Sequence, residues 1–355
     1  DAIPRKPEDL AAILYTSGTT GRSKGAQLSH KNLLSNTMVL KDFWNFSEND
    51  VLLHMLPIYH THGLFVACNL LSYVGGSMIF LPKFDINDAI SWMKRANTMM
   101  GVPTFYTRLL NDDRFNKELS NHMRLFISGS APLLAETHIE FEKRTGKQII
   151  ERYGMTETNM NTSNPYHGPR VAGTVGLPLP GVKLRIVDQD GKEVDKGEIG
   201  IIELKGDNVF RGYWGNPEKT SDSFRQDGYF ITGDMARIDE NGYVIIVGRD
   251  KDLIITGGLN VYPKEVENLI DEIDSVEESA VIAVPHSDFG EAVVSVVVKK
   301  KKSIIEQDIK DYLSQRVAKF KQPKKIIFVN SLPRNTMGKV QKSELRKKYQ
   351  NLFKI

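Results

Sequence analysis

Residues 124–146 read RLFISGSAPLLAETHIEFEKRTG and form one strand-to-helix unit: a short apolar run, a turn rich in Gly and Ser, and a segment with helical spacing of its apolar residues. The same alternation precedes it four times, as AAILYTS then HKNLLSNTMVLKDFW, VLLHMLP then the segment after His62, SMIFLP then INDAISWMKRA, and TMMGVP then FYTRLLND. Repeated βα units with short apolar strands predict a mostly parallel sheet with helices on both faces. Ligands of such sheets bind beyond the carboxyl ends of the strands.

The pattern of predicted secondary structure changes twice after this region. From about Val171 to Gly248, short alternating strands are separated by Asp-Gly and Asn-Gly turns, which predicts an antiparallel meander or a small barrel. From about Lys251 onward, the amphipathic segment PKEVENLIDEI and the strand-like runs SAVIAVP and VVSVVVKK predict a separate small domain. We therefore predict an α/β fold class: residues 1–170 as a parallel-rich sheet layered with helices, 171–250 as a β-rich subdomain, and 251–355 as an α+β C-terminal domain.

Composition bounds the function only loosely. The chain has 355 residues, and its 47 Lys and Arg against 44 Asp and Glu are too balanced to predict a nucleic acid as the main partner. A single cysteine excludes a disulfide framework and a cysteine-based metal site, which suits a reducing compartment. The most apolar stretch, GLFVACNLLSYVGGSMIFL, contains polar residues and a Gly pair and predicts a buried helix, turn and strand, with no integral membrane segment. We expect a cytoplasmic protein, with an organelle matrix left open.

The loop TSGTTGRSKG (16–25) is the strongest local indication of a ligand. Its glycines allow a tight turn that presents backbone N–H groups and hydroxyls to phosphate oxygens, while Arg22 and Lys24 can neutralise charge. A flexible surface linker is the alternative. A Walker-type phosphate loop is disfavoured, because Ser23 precedes the lysine and Gly25 follows it.

YTSGTTGRSKGA resembles the signature loop of the adenylate-forming superfamily, which includes acyl-CoA synthetases, luciferases and the adenylation domains of peptide synthetases. Seven further stretches resemble motifs of that superfamily and follow in order along the chain: PIYHTHG (57–63), SGSAP (128–132), ERYGMTET (151–158), YFITGD (229–234), GRDKDLI (248–254), GGLNVYPKEVE (257–267) and PRNTMGK (333–339).

The resemblance implies a two-step ligase reaction. A carboxylate attacks the α-phosphorus of ATP to give an acyl-adenylate and pyrophosphate, and the thiol of coenzyme A then displaces AMP. ATP, Mg²⁺ and coenzyme A are the implied small-molecule partners, together with a small carboxylic acid. The implied ATP-binding residues are Thr16, Ser17, Gly18, Thr19, Thr20, Gly21, Lys24, Ser130, Tyr153, Gly154, Asp234 and Arg249.

Three residues are implied to be catalytic. Lys339 matches a mobile lysine that bridges the attacking carboxylate and the phosphate, Glu157 matches a magnesium-binding carboxylate, and Thr156 resembles a phosphate contact. Thr20 is the second expected metal ligand. Outside its motif, Lys339 would be a solvated surface residue, and Glu157 a carboxylate at a helix start.

Other roles follow from the same resemblance. Asp234 resembles the ribose-binding carboxylate and Arg249 its partner, although an Asx-type turn is an alternative for TGD. His60 resembles a residue beside the acyl channel, and a buried core histidine is its alternative; His62 is more ambiguous. Lys251 stands at the hinge of a mobile C-terminal domain, whose rotation would bring Gly257 and Gly258 toward coenzyme A.

Two arginines suggest which carboxylic acid is the substrate. A second carboxylate in an acyl pocket requires a cation. Arg108 in GVPTFYTRLL and Arg170 in GPRVAGTVG, together with ERYGMTETNMNTSNPY, resemble malonyl-CoA synthetases, in which arginines hold the distal carboxylate. Exposed arginines without that role are the alternative. Methylmalonate is left open as a substrate, as are other short-chain acids, transfer to a carrier protein in trans, and an inactive nucleotide-binding protein.

The resemblance also implies a longer protein. Members of the superfamily carry roughly 150 residues ahead of the phosphate loop, about the size of one domain. We therefore expect this sequence, which starts close to that loop, to lack an N-terminal region.

Overall fold

The computed structural model describes residues 3–16, 23–335 and 338–353. The chain divides into two compact units, the first comprising Asp1–Thr232 with Arg237–Ile245 and the second Gly233–Ala236 with Ile246–Ile355. The predicted three-part division at residues 170 and 250 stays a prediction.

The first unit is built on a seven-stranded sheet in the order β4-β3-β5-β6-β7-β8-β9. Neighbours from β4 to β7 pair in parallel, and β8 and β9 pair antiparallel, so the predicted parallel-rich sheet is confirmed. Its strands are β3 (Val51–His54), β4 (Ser77–Phe80), β5 (Thr98–Gly101), β6 (Leu125–Ser128), β7 (Ile149–Met155), β8 (Asn159–Ser163) and β9 (Leu177–Pro178).

Helices cover both faces of this sheet. Successive strand residues point to opposite faces, so Leu52 belongs to one buried cluster and Leu53 to another. The first cluster is completed by α1, a π-helix and α2, and the second by α3, α4 and α6. The helices are α1 (His30–Phe43), the π-helix (His62–Cys68), α2 (Asn69–Val74), α3 (Ile86–Met93), α4 (Pro103–Leu110), α5 (Lys117–Ser120), α6 (Ala135–Thr145) and α7 (Pro217–Asp222).

The start of the chain differs from the expectation. The run AAILYTS was predicted to be the first strand of the parallel sheet and to lead through the loop into a helix. Instead, β1 (Leu10–Thr16) pairs antiparallel with β2 (Lys24–Ser29) in a two-stranded sheet of its own. The segment KGAQLS forms a strand because Ala26 and Leu28 alternate inward and are fully buried. Ser29 then caps α1, its Oγ accepting a hydrogen bond from the Asn32 N–H at 3.1 Å.

The β-rich segment forms a meander, the first of the two predicted alternatives. Its four-stranded sheet has the order β10-β11-β12-β13, so the strands neighbour one another as they follow in sequence. The strands are β10 (Lys183–Val187), β11 (Gly200–Lys205), β12 (Phe230–Ile238) and β13 (Val244–Arg249).

The second unit has the predicted α+β character. Its sheet has the order β15-β14-β17-β16, with β18 paired in parallel to β17. Helices α8 and α9 pack on one face and α10 on the other. The elements are β14 (Ile254–Thr256), β15 (Leu259–Val261), α8 (Pro263–Asp271), β16 (Val276–His286), β17 (Gly290–Lys299), α9 (Glu306–Ser314), β18 (Lys325–Val329) and α10 (Lys342–Tyr349).

Within residues 3–16, 23–335 and 338–353, every helix is too short or too polar to cross a bilayer. The expected helix, turn and strand in GLFVACNLLSYVGGSMIFL are present as the π-helix with α2, a turn at Gly75 and Gly76, and β4. The cytoplasmic location stays a prediction.

Candidate active site

The paired strands β1 and β2 lie beside a buried carboxylate. Thr16 closes β1, and its Oγ1 lies 3.5 Å from the carbonyl oxygen of Lys24, the first residue of β2. The Lys24 ammonium lies 5.5 Å from the centre of the Tyr213 ring, and the Tyr213 hydroxyl donates to Glu157 Oε1 at 3.0 Å. The structure therefore brings two of the predicted ATP-binding residues into the neighbourhood of the predicted metal ligand. Ser17, Gly18, Thr19, Thr20 and Gly21 lie outside the described residues.

The aromatic segment after Asn208 holds this arrangement together. Phe210 donates its backbone N–H to the Glu157 carbonyl at 2.7 Å, and Trp214 donates its own to the Gly25 carbonyl at 2.7 Å. Phe210 and Tyr213 share a buried cluster with Ala26 and Leu28 of β2. The sequence analysis missed Tyr213, although the aromatic run VFRGYW could have indicated a buried anchor.

The motif ERYGMTET runs out of the sheet at the carboxyl end of β7. Tyr153 and Gly154 are half-buried near the end of the strand, and Thr156 and Glu157 are buried in the connection to β8. Gly154 is required by a close approach, since a Cβ there would lie 2.0 Å from the Asn159 carbonyl oxygen. Glu157 is only 7% exposed. The carboxylate is not at a helix start, because residues 156–158 form a turn between two strands.

The SGSAP loop meets the two histidines of YHTHG. Ser130 has a φ of 70°, and its Oγ lies 3.1 Å from His62 Nδ1. The His62 backbone N–H donates to His60 Nδ1 at 3.3 Å. Burial and the positive charge of Arg152 hold the pKa of His62 well below its usual range, so this imidazole is neutral. The polar, ordered setting of His60 is compatible with its predicted place beside the acyl channel, which stays a prediction.

Arg152, which the sequence analysis did not single out, is buried at this edge of the sheet. Its side chain is 3% exposed and lies under Gly129, where a Cβ would meet the guanidinium carbon at 2.4 Å. Within the described part of the chain, Nε and Nη2 of Arg152 have no hydrogen-bond partner. Burial lowers the pKa of Arg152 to about 9, and the group therefore stays charged at neutral pH. A buried cation with two available donors points to an anionic ligand.

The two arginines predicted to bind the acid occupy different surroundings. Arg108 is exposed at the end of α4, with its guanidinium carbon 5.9 Å from the centre of the Phe84 ring. Arg170 donates to the carbonyls of Pro165, Gln148 and Tyr166. Because Gln148 precedes β7, Arg170 lies at the amino end of that strand, away from the motif at its carboxyl end. Both placements favour the alternative of arginines without a role in acid binding, and the predicted role stays a prediction.

Two of the predicted nucleotide residues are paired in the second unit. Asp234 is 4% exposed, and its Oδ1 accepts from Arg249 Nε at 2.7 Å. The guanidinium therefore balances the charge of this buried carboxylate. Lys251 follows in a one-turn 3₁₀ helix, Asp250–Asp252, where partial burial of the ammonium and the positive charge of Arg249 lower its pKa.

The Gly257–Gly258 pair forms the tip of the β14–β15 hairpin. Their φ angles of 56° and 78° are both positive, as in two-residue hairpin turns whose twist matches the right-handed twist of the flanking strands. Both glycines are exposed. A Cβ on Gly258 would meet nothing within 4 Å, so the backbone conformation and not the space requires glycine there.

Lys339 is exposed in a tight turn at the end of the PRNTMGK motif. Gly338 has a φ of 75°, and the Lys339 N–H donates to Asn335 Oδ1 at 3.0 Å. The backbone of the predicted catalytic lysine is therefore hydrogen-bonded to the Asn335 side chain.

The chain belongs to the AMP-binding enzyme family, whose model matches residues 1–214, while the C-terminal domain of these enzymes matches residues 265–339. This confirms the resemblance to adenylate-forming enzymes. Over 97% of its length the chain is 37% identical to the malonate–CoA ligase of Arabidopsis thaliana, of which it covers 61%. It is 36% identical, over 95% of its length, to a long-chain-fatty-acid–CoA ligase of Yersinia pestis, again covering 61% of that protein.

A solved structure agrees more closely still. ATP-bound MatB from Rhodopseudomonas palustris is 62% identical, with a TM-score of 0.97 over 99% of this chain and 70% of that one. The chain spans about six-tenths of the length of the curated relatives it matches.

Proposed function

We propose that this protein is an ATP-dependent acid–CoA ligase that converts malonate to malonyl-CoA, with release of AMP and pyrophosphate. In the first half-reaction a malonate carboxylate oxygen attacks the α-phosphorus of ATP, a P–O bond forms, and the bond to pyrophosphate breaks. In the second, the thiol of coenzyme A attacks the acyl carbon, loses its proton, and AMP leaves. The relatives named malonate–CoA ligase and MatB support this assignment.

The observation that supports malonate as the acid substrate is the buried guanidinium of Arg152. The tail of a fatty acid beside this cation would leave it desolvated and unpaired, which is costly. A second carboxylate can instead accept from Nε and Nη2 in the fork geometry that arginine favours. The neighbouring Gly129 lacks a side chain, so its backbone approaches the guanidinium closely. These features favour a short dicarboxylate over an apolar acid.

The chain's own residues account for the nucleotide end of the reaction. Lys24 and the hydroxyl-rich loop neutralise and orient the phosphates, while Asp234, paired with Arg249, accepts hydrogen bonds from the ribose hydroxyls. Neutral His62 hydrogen bonds Ser130 and keeps the SGSAP loop beside the acid. Lys339 provides the ammonium that meets charge developing between carboxylate and phosphate in the first half-reaction.

Magnesium fits the residues present at Glu157. Its buried carboxylate is a hard oxygen donor oriented by Tyr213, and Mg²⁺ is commonly held by one or two carboxylates together with substrate phosphates and water. No group of three or more His, Cys, Asp or Glu side chains suited to a metal occurs among the residues that the structure describes. When bound, the ion would neutralise phosphate charge.

Pyrophosphate release from a panel of acids tests the proposal. We expect release with malonate, and thioester only after coenzyme A is added; Lys339→Ala should reduce release by about 100-fold or more. Acetate, propionate, succinate and methylmalonate complete the panel.

Three results would contradict the proposal in different ways. Release with monocarboxylic acids and none with malonate would reject the substrate. Adenylate formation without thioester would indicate a carrier protein as acceptor. ATP binding without turnover for any acid would indicate a nucleotide-binding protein that is not a ligase.

A further inference from the structure

The turn that carries Lys339 is closed by its own backbone and by Asn335. The Asn335 N–H donates to the Lys339 carbonyl at 3.0 Å, and the Gly338 N–H donates to the Asn335 carbonyl at 2.9 Å. Arg334 and Val340 form an antiparallel bridge at the base of the turn. The backbone of Lys339 is therefore hydrogen-bonded to Asn335 next to the bridge between Arg334 and Val340.

The Arg334 guanidinium ties this turn to the sheet of the second unit. Its Nη2 pairs with Glu278 Oε2 of β16, and its Nη1 donates to the Gly338 carbonyl. The two side chains are 35% and 29% exposed, so the pair is partly shielded from water. One planar group thus connects a rigid strand to the residue immediately before Lys339.

A second ion pair anchors the other side of the turn. Lys342, the first residue of α10, places its Nζ 2.5 Å from Glu267 Oε1 of α8. Glu267 is 6% exposed, and the same oxygen accepts the Val281 N–H at 2.8 Å. Leu345 packs α10 against the residues of β16. The turn is therefore held between two anchored segments.

We propose that Arg334 is a positioning residue for the Lys339 ammonium in the adenylate-forming half-reaction, with Glu278 as its anchor on the strand. The proposal rests on the proposed function. An exposed lysine has a flexible four-carbon side chain, and fixing its backbone narrows the volume that the ammonium samples. A planar fork can do this because its donors hold two acceptors in a fixed relative geometry, whereas the single ammonium of a lysine side chain fixes their orientation less well.

Comparing the rates of the two half-reactions distinguishes a positioning role of Arg334 from a general effect on folding. Arg334→Ala should lower kcat for malonate-dependent pyrophosphate release by about 10- to 100-fold, as expected for a misplaced catalytic group. Formation of malonyl-CoA from supplied malonyl-adenylate and coenzyme A should change less than about twofold, because that half-reaction does not use Lys339. Arg334→Lys should recover part of the first rate.

Arg316→Ala is the matched control. Arg316 belongs to the same unit, is exposed, and donates to the Tyr312 carbonyl. Among the described residues, its side-chain hydrogen bond and ring contact are with Tyr312 and not with residues 334, 335 or 338–340. We expect both half-reactions of this variant to match the unaltered protein.

Hydrogen exchange provides a readout that needs no activity. The Gly338 and Lys339 amides should exchange at least about tenfold faster in Arg334→Ala, since their hydrogen bonds open with the turn. Unchanged exchange there would overturn the inference, as would equal slowing of both half-reactions. If the unaltered protein releases no pyrophosphate with malonate, the proposed function fails, while the exchange experiment still decides whether Arg334 holds the turn.

Discussion

At the scale of single residues, burial separates three arginines that look alike in the sequence. Arg152 is enclosed by the SGSAP loop, Arg108 is exposed, and Arg170 binds three backbone carbonyls. Only Arg152 combines a desolvated charge with available donors within the described ranges. A buried arginine remains charged at neutral pH, and this is the basis of its proposed role in acid recognition.

Replacement of Arg152 by methionine should therefore change acid preference. We expect Arg152→Met to lower kcat/KM for malonate by about 100-fold or more, because a buried carboxylate would lose a charge-assisted partner worth about 3 kcal/mol. The ratio of propionate to malonate turnover should rise. Pyrophosphate release with both acids measures the two quantities. A larger loss of malonate turnover in Arg108→Met would instead support the arginine predicted from sequence.

At the scale of elements, the β7–β8 hairpin positions the motif ERYGMTET. Its pairing register shifts between Tyr153 and Gly154, so the strand bends where the motif leaves the sheet. Asn159, the first residue of β8, has a φ of 51° and a carbonyl that faces Gly154. This irregular geometry brings Glu157 beside Tyr213.

A methyl group at Gly154 should disrupt that hairpin. Gly154→Ala would place a Cβ 2.0 Å from a backbone oxygen, and we expect a loss of about 3 kcal/mol in the free energy of unfolding, together with weaker ATP binding. Urea unfolding and nucleotide titration measure these effects.

Gly101→Ala is the strand control for this prediction. Gly101 lies in β5 of the same sheet, and the nearest atom to its added Cβ would be a Phe105 side-chain carbon at 3.1 Å. We expect this substitution to cost less than Gly154→Ala, because a side chain can move aside more readily than backbone. Equal losses in the two variants would contradict the importance of the close approach at Gly154.

At the scale of the whole molecule, the two units should respond to pH in opposite directions. In the first unit, burial lowers the pKa of His54 to about 4 and also lowers the pKa values of His62 and His138. Below their ordinary pKa of 6.5 these histidines bind protons in the unfolded chain and not in the folded one, so stability falls as the solution is acidified. In the second unit, burial raises the pKa of Asp271 to about 7. The folded state holds that proton between pH 4 and 7, and stability falls as pH rises through this range.

Tryptophan fluorescence can follow the first unit alone, because Trp44, Trp92 and Trp214 all belong to it. Between pH 7 and pH 5 we expect its free energy of unfolding in urea to fall by at least about 2 kcal/mol, the amount that His54 alone contributes. His138→Leu should reduce that dependence. A first unit equally stable at both pH values would contradict the prediction.

Hydrogen exchange of β16 peptides follows the second unit in the same way. Asp271→Asn should slow their exchange at pH 8, where the unaltered carboxyl is ionised, and have less effect at pH 5. Faster exchange of the variant at pH 8 would show that the charged carboxylate stabilises the fold.

Local patterns in the sequence were sufficient to predict most of the secondary structure, the β-rich meander and the protein family. Apolar periodicity predicted the strands and helices of the layered sheet, Asp-Gly and Asn-Gly turns predicted the meander, and ordered motifs predicted the family. These features depend on residues close together in the chain, and the chemistry of each motif can be judged from its own side chains.

Tertiary structure alone decided which residues meet. The sequence pattern of β1 does not indicate which strand pairs with it. For this reason the sequence predicts the start of a βα unit where β1 and β2 form an antiparallel pair. Arg152 becomes a candidate for acid recognition only when the loop after β6 covers it. Arg334 meets Glu278, which lies on a strand more than fifty residues earlier, only in the folded chain. Burial and pairing are properties of neighbours in space, and sequence spacing does not reveal those neighbours.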